Sequence, residues 1–230
     1  GHDFIDNAEQ RFDFYHNIEE RLQTGVEYFD KITMGGFTKK TLNAFLAGTG
    51  VGKSLIMCSL SANMLKQGKN VLYITLEMAE ESIAQRIDQN LLNLSSEELT
   101  TVDKDDYMER FNTRIASKTN GKIIIKEYPT AGAHVGHFRH LLKELRIKKN
   151  FFPDVIFIDY LGICASSRVK LGNTINSYTY VKFIAEEIRG LAKEFDVPII
   201  TAAQTNRGGQ NEAELDLEDV GESHGLSATL

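Results

Sequence analysis

Short apolar runs alternate along the chain with longer stretches whose apolar residues recur every three or four positions. The runs at 41–47, 71–76, 122–128, 155–158 and 197–202 are rich in Val, Ile, Leu, Tyr and Phe, which predicts buried strands. Residues 54–67, 80–94, 135–149 and 181–195 carry the helical period; in 80–94, Ile83, Ile87 and Leu91 mark one buried face. A further helical region is predicted at 99–117, and Gly68 is placed to end the 54–67 helix. Strands that alternate with helices of this length predict an α/β fold whose mainly parallel sheet is covered on both faces. Residues 25–37 read as an irregular lead-in ending in the turn Met34-Gly35-Gly36-Phe37. At the N-terminus, Phe4, Ala8, Phe12, Tyr15 and Ile18 recur at helical spacing. Residues 3–22 therefore read as a helix or arm that either closes the domain's own core or packs on a neighbour.

Composition narrows this little. A chain of 230 residues, 42% hydrophobic, buries a full core, and 23–230 reads as one large domain. A net charge of −6 argues against coating nucleic acid by bulk electrostatics but leaves room for local basic loops. Two cysteines, Cys58 and Cys164, make a disulfide framework improbable and point to a reducing interior. No run approaches the roughly 18 apolar residues that span a bilayer, so no membrane association is expected. His134, His137 and His140 have no cysteine or carboxylate partners in a zinc pattern, which leaves them packing or surface roles.

The chemistry concentrates after the first strand. Ala47-Gly48-Thr49-Gly50-Val51-Gly52-Lys53-Ser54 leads into a helix and reads as a phosphate-binding loop. Backbone amides from Gly48 to Ser54, including those of Thr49, Gly50, Val51 and Gly52, can cradle phosphates. Lys53 reaches the same phosphates, and the Ser54 hydroxyl suits Mg2+. Ala47 stands where the strict pattern has glycine, which is harmless if its backbone is extended. ATP is the expected substrate and Mg2+ the expected cofactor. Asp159, ending an apolar strand, is the candidate second metal acid, although strand-end aspartates also serve as caps. Glu77 ends the strand after the loop's helix. It is the candidate carboxylate that aligns water, against the plainer reading of a solvated first-turn acid. Glu80 and Glu81 look like first-turn acids, and Asp154 like a surface residue on the opposite rim. Gln204, just beyond the last strand, could sense the terminal phosphate.

Two polar loops leave the same rim. One, at 166–180, holds Arg168, Lys170, Asn173 and Asn176; the other, at 205–211, holds Asn206 and Arg207. Both suit phosphate contacts, although an acidic tract at 212–222 weighs against simple attraction by the second.

Taken together, Gly48–Ser54, Thr75-Leu76-Glu77-Met78, Phe157-Ile158-Asp159-Tyr160-Leu161 and Ala203-Gln204-Thr205-Asn206-Arg207 resemble the motor domain of hexameric replicative DNA helicases, especially those of T4-type bacteriophages. The resemblance implies a RecA-like P-loop NTPase fold, with Glu77 and Lys53 catalytic, Gln204 a nucleotide sensor and Asp159 the magnesium-associated acid. It implies that Arg168, Lys170, Asn206 and Arg207 face single-stranded DNA in a hexamer moving 5′ to 3′. It implies primase and other replisome partners and a cytoplasmic location, that of the host cell for a phage protein. Residues 3–22 would be the linker helix that docks on the next subunit. The core would stop short of its last strands and of the cation that family members offer a neighbour's triphosphate, so that this chain alone would hydrolyse ATP weakly. A related recombinase, a regulatory ATPase or a nucleotide-dependent assembly module are the alternatives.

Overall fold

The computed structural model describes residues 3–16, 20–170 and 177–204. Its elements, numbered in chain order, are α1 (Ala8–His16), α2 (Glu27–Ile32), β1 (Leu42–Ala47), α3 (Lys53–Lys66), β2 (Val71–Thr75), α4 (Glu80–Leu92), α5 (Ser96–Thr101), α6 (Lys104–Phe111), β3 (Ile123–Glu127), α7 (Val135–Lys149), β4 (Val155–Asp159), α8 (Ser177–Phe195) and β5 (Ile199–Gln204). The strands form one sheet in the order β1-β5-β4-β2-β3, and every adjacent pair is parallel. Parallel neighbours require crossovers through helices, and these cover both faces as the alternation predicted.

The strand period of two sorts side chains between the faces. Val71, Tyr73, Val155, Phe157, Ile200 and Ala202 pack with Met57, Leu60 and Met64 of α3 and Ile83, Ile87 and Leu91 of α4. Leu72, Ile74, Ile156, Ile158, Ile199 and Ala203 pack with Phe138, Leu142 and Leu145 of α7 and Ile184, Ile188 and Leu191 of α8. Each large aliphatic buried this way contributes about 1.5–3 kcal/mol, enough to fix the faces against a one-residue slip. Among the described residues, no helix is long and apolar enough to cross a membrane.

Three local details differ from the sequence expectation. The 99–117 region is not one helix. Ser95 and Glu98 form a reciprocal capping box that starts α5, and Asp103 caps α6 by accepting from the amides of Asp105 and Asp106 at 2.9 Å. A π-helical turn, Asn112–Ala116, then ends the region. At the N-terminus, α1 is shorter than 3–22. Phe4, Phe12 and Tyr15 are 60–70% exposed, so its apolar spacing does not close this domain's core; Ile18 lies outside the described residues. By residue 22 the chain has left the helix. Leu22 and Phe37 exchange amide bonds of 2.7 and 2.9 Å, held close by Gly36, where a Cβ would meet the Leu22 carbonyl oxygen at 2.0 Å. Finally, β5 runs to Gln204, which is paired with Ala47 rather than lying beyond the strand.

Candidate nucleotide site

Parallel strands place their C-terminal ends on one rim, and the strand order decides which side chains meet there. β5 lies between β1 and β4, so Gln204 stands beside the loop that leaves β1. The Gln204 amide Nε2 donates to Thr49 Oγ1. Linear sequence held no sign of that order.

Ala47 is the last residue of β1, and its extended backbone accommodates alanine without strain. The loop then turns through Gly50 (φ 75°) and Gly52 (φ 98°), left-handed conformations that disfavour any side chain. Gly52 is the N-cap of α3 and, among the described residues, no side chain caps the helix, so its first amides and positive dipole end face the loop. Lys53 Nζ donates to Gly48 O at 2.7 Å and Ala47 O at 3.3 Å, which holds its ammonium across the cradle.

A cleft of about 320 Å³ opens here. Its walls include Thr49, Gly50, Gly52, Lys53, Ser54, Glu77 and Gln204, to which the sequence assigned a site role, together with Leu55, Met78, Arg86 and Tyr160, to which it did not. Arg86 comes from α4, brought over by the packing of α3 on α4, a contact between segments that are separate in sequence. It supplies a second fixed positive charge.

A turn holds Glu77, whose side chain has no hydrogen-bond partner among the described residues. The buried Thr75 hydroxyl donates to Met78 O at 2.8 Å and accepts from Met78 N at 3.1 Å. Leu76 N donates to Asp159 O at 2.9 Å, and Thr130 Oγ1 donates to Leu76 O at 2.7 Å. With both neighbours tied down, the exposed Glu77 side chain projects into the cleft. Glu80 instead accepts from Glu127 N at 2.8 Å and pairs with Lys126 at 3.5 Å, a structural task. Asp154 accepts from Asn70 N at 2.7 Å on the far rim, as expected of an exposed residue there.

Asp159 is in register with Thr75 but is only 1% exposed and lies behind the cleft wall, where Tyr160 stands. Its Oδ2 accepts from the Tyr73 hydroxyl at 3.0 Å. Among the described residues no protein group bonds its Oδ1, and a buried carboxylate with one oxygen unserved suits a cation. Among them, too, no cluster of three or more His, Cys, Asp or Glu could cage a metal. Ser54 and Asp159 thus fit Mg2+ carried largely by phosphates and water, which needs only one or two protein groups. Burial, foremost, raises Tyr73 well above the usual phenol range, and burial pushes Cys58, beside it, up to about 11, so both remain protonated donors.

Of the predicted DNA contacts, Arg168 is exposed and pairs with Glu186 at 3.7 Å, and Lys170 follows on the same segment. The root of this segment is clamped by the buried Glu187, which accepts from both hydroxyls and the Ser167 amide of Ser166-Ser167. Burial alone would raise the Glu187 carboxyl; bonds from Ser166, Ser167 and Arg168 outweigh it and hold the group below the usual range. Asn173, Asn176, Asn206 and Arg207 lie outside the described residues. Two of the three histidines, His134 and His137, cap a helix, and His140 is exposed. His134 Nδ1 accepts from Gly136 N at 3.0 Å and His137 Nδ1 accepts from His134 N at 3.2 Å, a capping box for α7.

Comparison with known proteins finds a matching family and several relatives. The family described as the DnaB-like helicase C terminal domain matches residues 21–224. The DnaB-like replicative helicase of Enterobacteria phage T4 is 44% identical over 231 residues, covering 100% of this chain and 48% of that protein. The replicative DNA helicase DnaB of Helicobacter pylori strain 26695 is 26% identical over 209 residues, covering 89% of this chain and 41% of its own length. The chain spans about half the length of the curated relatives it matches. Among solved structures, that of a DnaB-like replicative helicase and its interactions with primase superposes with a TM-score of 0.77 at 17% identity, covering 99% of this chain and 56% of the other. A second solved structure, of an ATPase domain, gives 0.74 at 18% identity, covering 98% of this chain and 78% of the other. At these identities the two structures establish a shared fold.

Proposed function

This chain belongs to the DnaB-like helicase C-terminal domain family, and from that premise we propose that it is the ATP-hydrolysing motor of a replicative helicase that assembles as a hexamer, moves along single-stranded DNA and unwinds duplex. One observation carries the chemistry: Lys53, Ser54, Glu77 and Gln204, from three separate strand ends, line a single cleft at the N-terminus of α3.

In this reading the amides of Gly48–Ser54 and the ammonium of Lys53 bind the triphosphate, and the start of α3 adds its dipole. Ser54 and Asp159 are the residues that would hold Mg2+, which would supply positive charge against the charge developing on the phosphates. Glu77 accepts a hydrogen bond from the attacking water and orients it toward the terminal phosphorus. Gln204 donates to that phosphate and, through its bond to Thr49, couples occupancy of the cradle to the end of β5, from which the second polar loop departs. Arg168 and Lys170 contact DNA phosphates, and the sequence adds Asn206 and Arg207 as further contacts. By kinship the partners are further copies of this chain, single-stranded DNA, primase and other replisome proteins, and the setting is the cytoplasm of a host cell. The exposed apolar residues of α1 suit docking on the adjacent subunit.

Strand displacement on a DNA fork, with the full-length protein that carries this domain, tests the proposal. ATP-dependent unwinding that vanishes in Lys53→Ala is expected. Nucleotide-dependent assembly or strand exchange without unwinding would favour an assembly module or a recombinase instead.

A further inference from the structure

The site leaves one buried polar side chain unexplained. Tyr73 is on β2, wholly buried on the face covered by α3 and α4, two residues before the turn that presents Glu77. Its register partner is Phe157, and the two rings stack with centroids 5.8 Å apart and planes 11° from parallel. The stack fixes the ring, and the diagonal reach of a cross-strand pair carries its hydroxyl to the residue two further along β4, Asp159. Cys58 of α3 closes the other side, its Sγ 3.8 Å from the same hydroxyl. The thiol donates to the phenol oxygen and the phenol proton goes to Asp159 Oδ2, so both ends of the hydroxyl are committed.

We propose that Tyr73 is the positioning residue of the metal-associated acid: it holds Oδ2 of Asp159 and thereby fixes the carboxylate with Oδ1 left to the cation. This rests on the reading of Asp159 as the magnesium acid. A carboxylate at a strand end can turn about two side-chain bonds, and each orientation of a buried charge without a donor is costly. One donor on a ring that cannot move selects a single orientation, the arrangement by which outlying hydrogen bonds tune a metal site.

The test uses Mn2+ as a paramagnetic probe. Its affinity for the ADP complex of the 230-residue chain is read from the loss of free Mn2+ signal, and ADP affinity is measured separately in EDTA. Tyr73→Phe keeps the ring and the stack and removes only the donor. It is expected to weaken Mn2+ binding about tenfold, the loss of one bond to a charged group, with ADP affinity in EDTA unchanged. Cys58→Ala leaves the Tyr73–Asp159 bond in place and is expected to change neither. Unaltered Mn2+ binding in Tyr73→Phe overturns the proposal. So does loss of ADP binding in EDTA, which would make Tyr73 a packing residue, and so does an equal shift in Cys58→Ala. Asp159→Asn separates the two levels: if it leaves Mn2+ affinity intact, the assignment of Asp159 fails, whereas if it weakens Mn2+ and Tyr73→Phe does not, only the role of Tyr73 fails.

Discussion

Thr75→Val removes one oxygen from the turn that presents Glu77 and changes little else in shape. The Thr75 side chain is wholly buried and makes two bonds to Met78, donating to its carbonyl at 2.8 Å and accepting from its amide at 3.1 Å. Each such bond contributes a net 1 kcal/mol or so, and valine leaves no cavity, so the loss of stability should be about 2 kcal/mol. For a domain of this size that lowers the melting temperature by about 4–8 °C. The larger effect should be kinetic. Residues 76–78 lose their closing bonds, and a displacement of Glu77 by about 1 Å costs up to about a hundredfold in the step it serves. Thr75 is not in the cleft wall, so nucleotide affinity should be unchanged. Thermal unfolding, titration with a fluorescent nucleotide and single-turnover ATP hydrolysis measure the three quantities independently. If hydrolysis keeps its wild-type rate while stability falls, Thr75 supports only the core and Glu77 is positioned by something else. If stability does not fall either, the two bonds are worth nothing and the turn is held from elsewhere.

Three further outcomes are expected. Lys53→Ala should weaken ATP binding by about 10- to 100-fold, the value of one or two bonds to a charged group, in an equilibrium titration. In His134, burial and then the neighbouring His137 lower the ring's affinity for protons, so the unfolded chain binds more protons than the folded one. The cap therefore stabilises fully above the unfolded value near 6.5 and is lost as pH falls further; denaturant unfolding at pH 7.5 and 5.5 should show a drop that shrinks in His134→Asn, whose amide oxygen still accepts. Replacing Arg168 and Lys170 together by alanine should reduce the salt dependence of single-stranded DNA binding by about 1.4 in log–log slope, about 0.7 per phosphate contact; an unchanged slope would remove that segment from the DNA path.

Much of the fold was legible because strand and helix periods are local. Residues 155–158 and 71–76 read as buried strands and are observed as Val155–Asp159 and Val71–Thr75, and Gly68 read as a helix end, where it accepts a left-handed φ of 79°. Strand order was not legible. It depends on which crossovers pack, and it is what inserts β5 between β1 and β4 and brings Gln204 onto Thr49. The helical break at 102–103 had a signal in the Ser95/Glu98 spacing and in Asp103, but apolar periodicity across 99–117 masked it. Lys53 and Ser54 were found because their neighbours in space are their neighbours in sequence. Arg86 and Tyr73 were not, because each meets the site through tertiary packing: α4 on α3 for one, a diagonal cross-strand reach for the other.

In the proposed reaction one cleft binds ATP and Glu77 orients the water that cleaves it. Single-turnover hydrolysis of ATP by Glu77→Gln, with bound nucleotide quantified in the same samples, tests this most directly. The amide is close in size but a far poorer acceptor for a water proton, so hydrolysis should fall by about 100-fold or more while ATP stays bound with near wild-type affinity. Hydrolysis at the wild-type rate with ATP fully bound would overturn this role of Glu77, because the carboxylate in the cleft would then take no part in the chemistry.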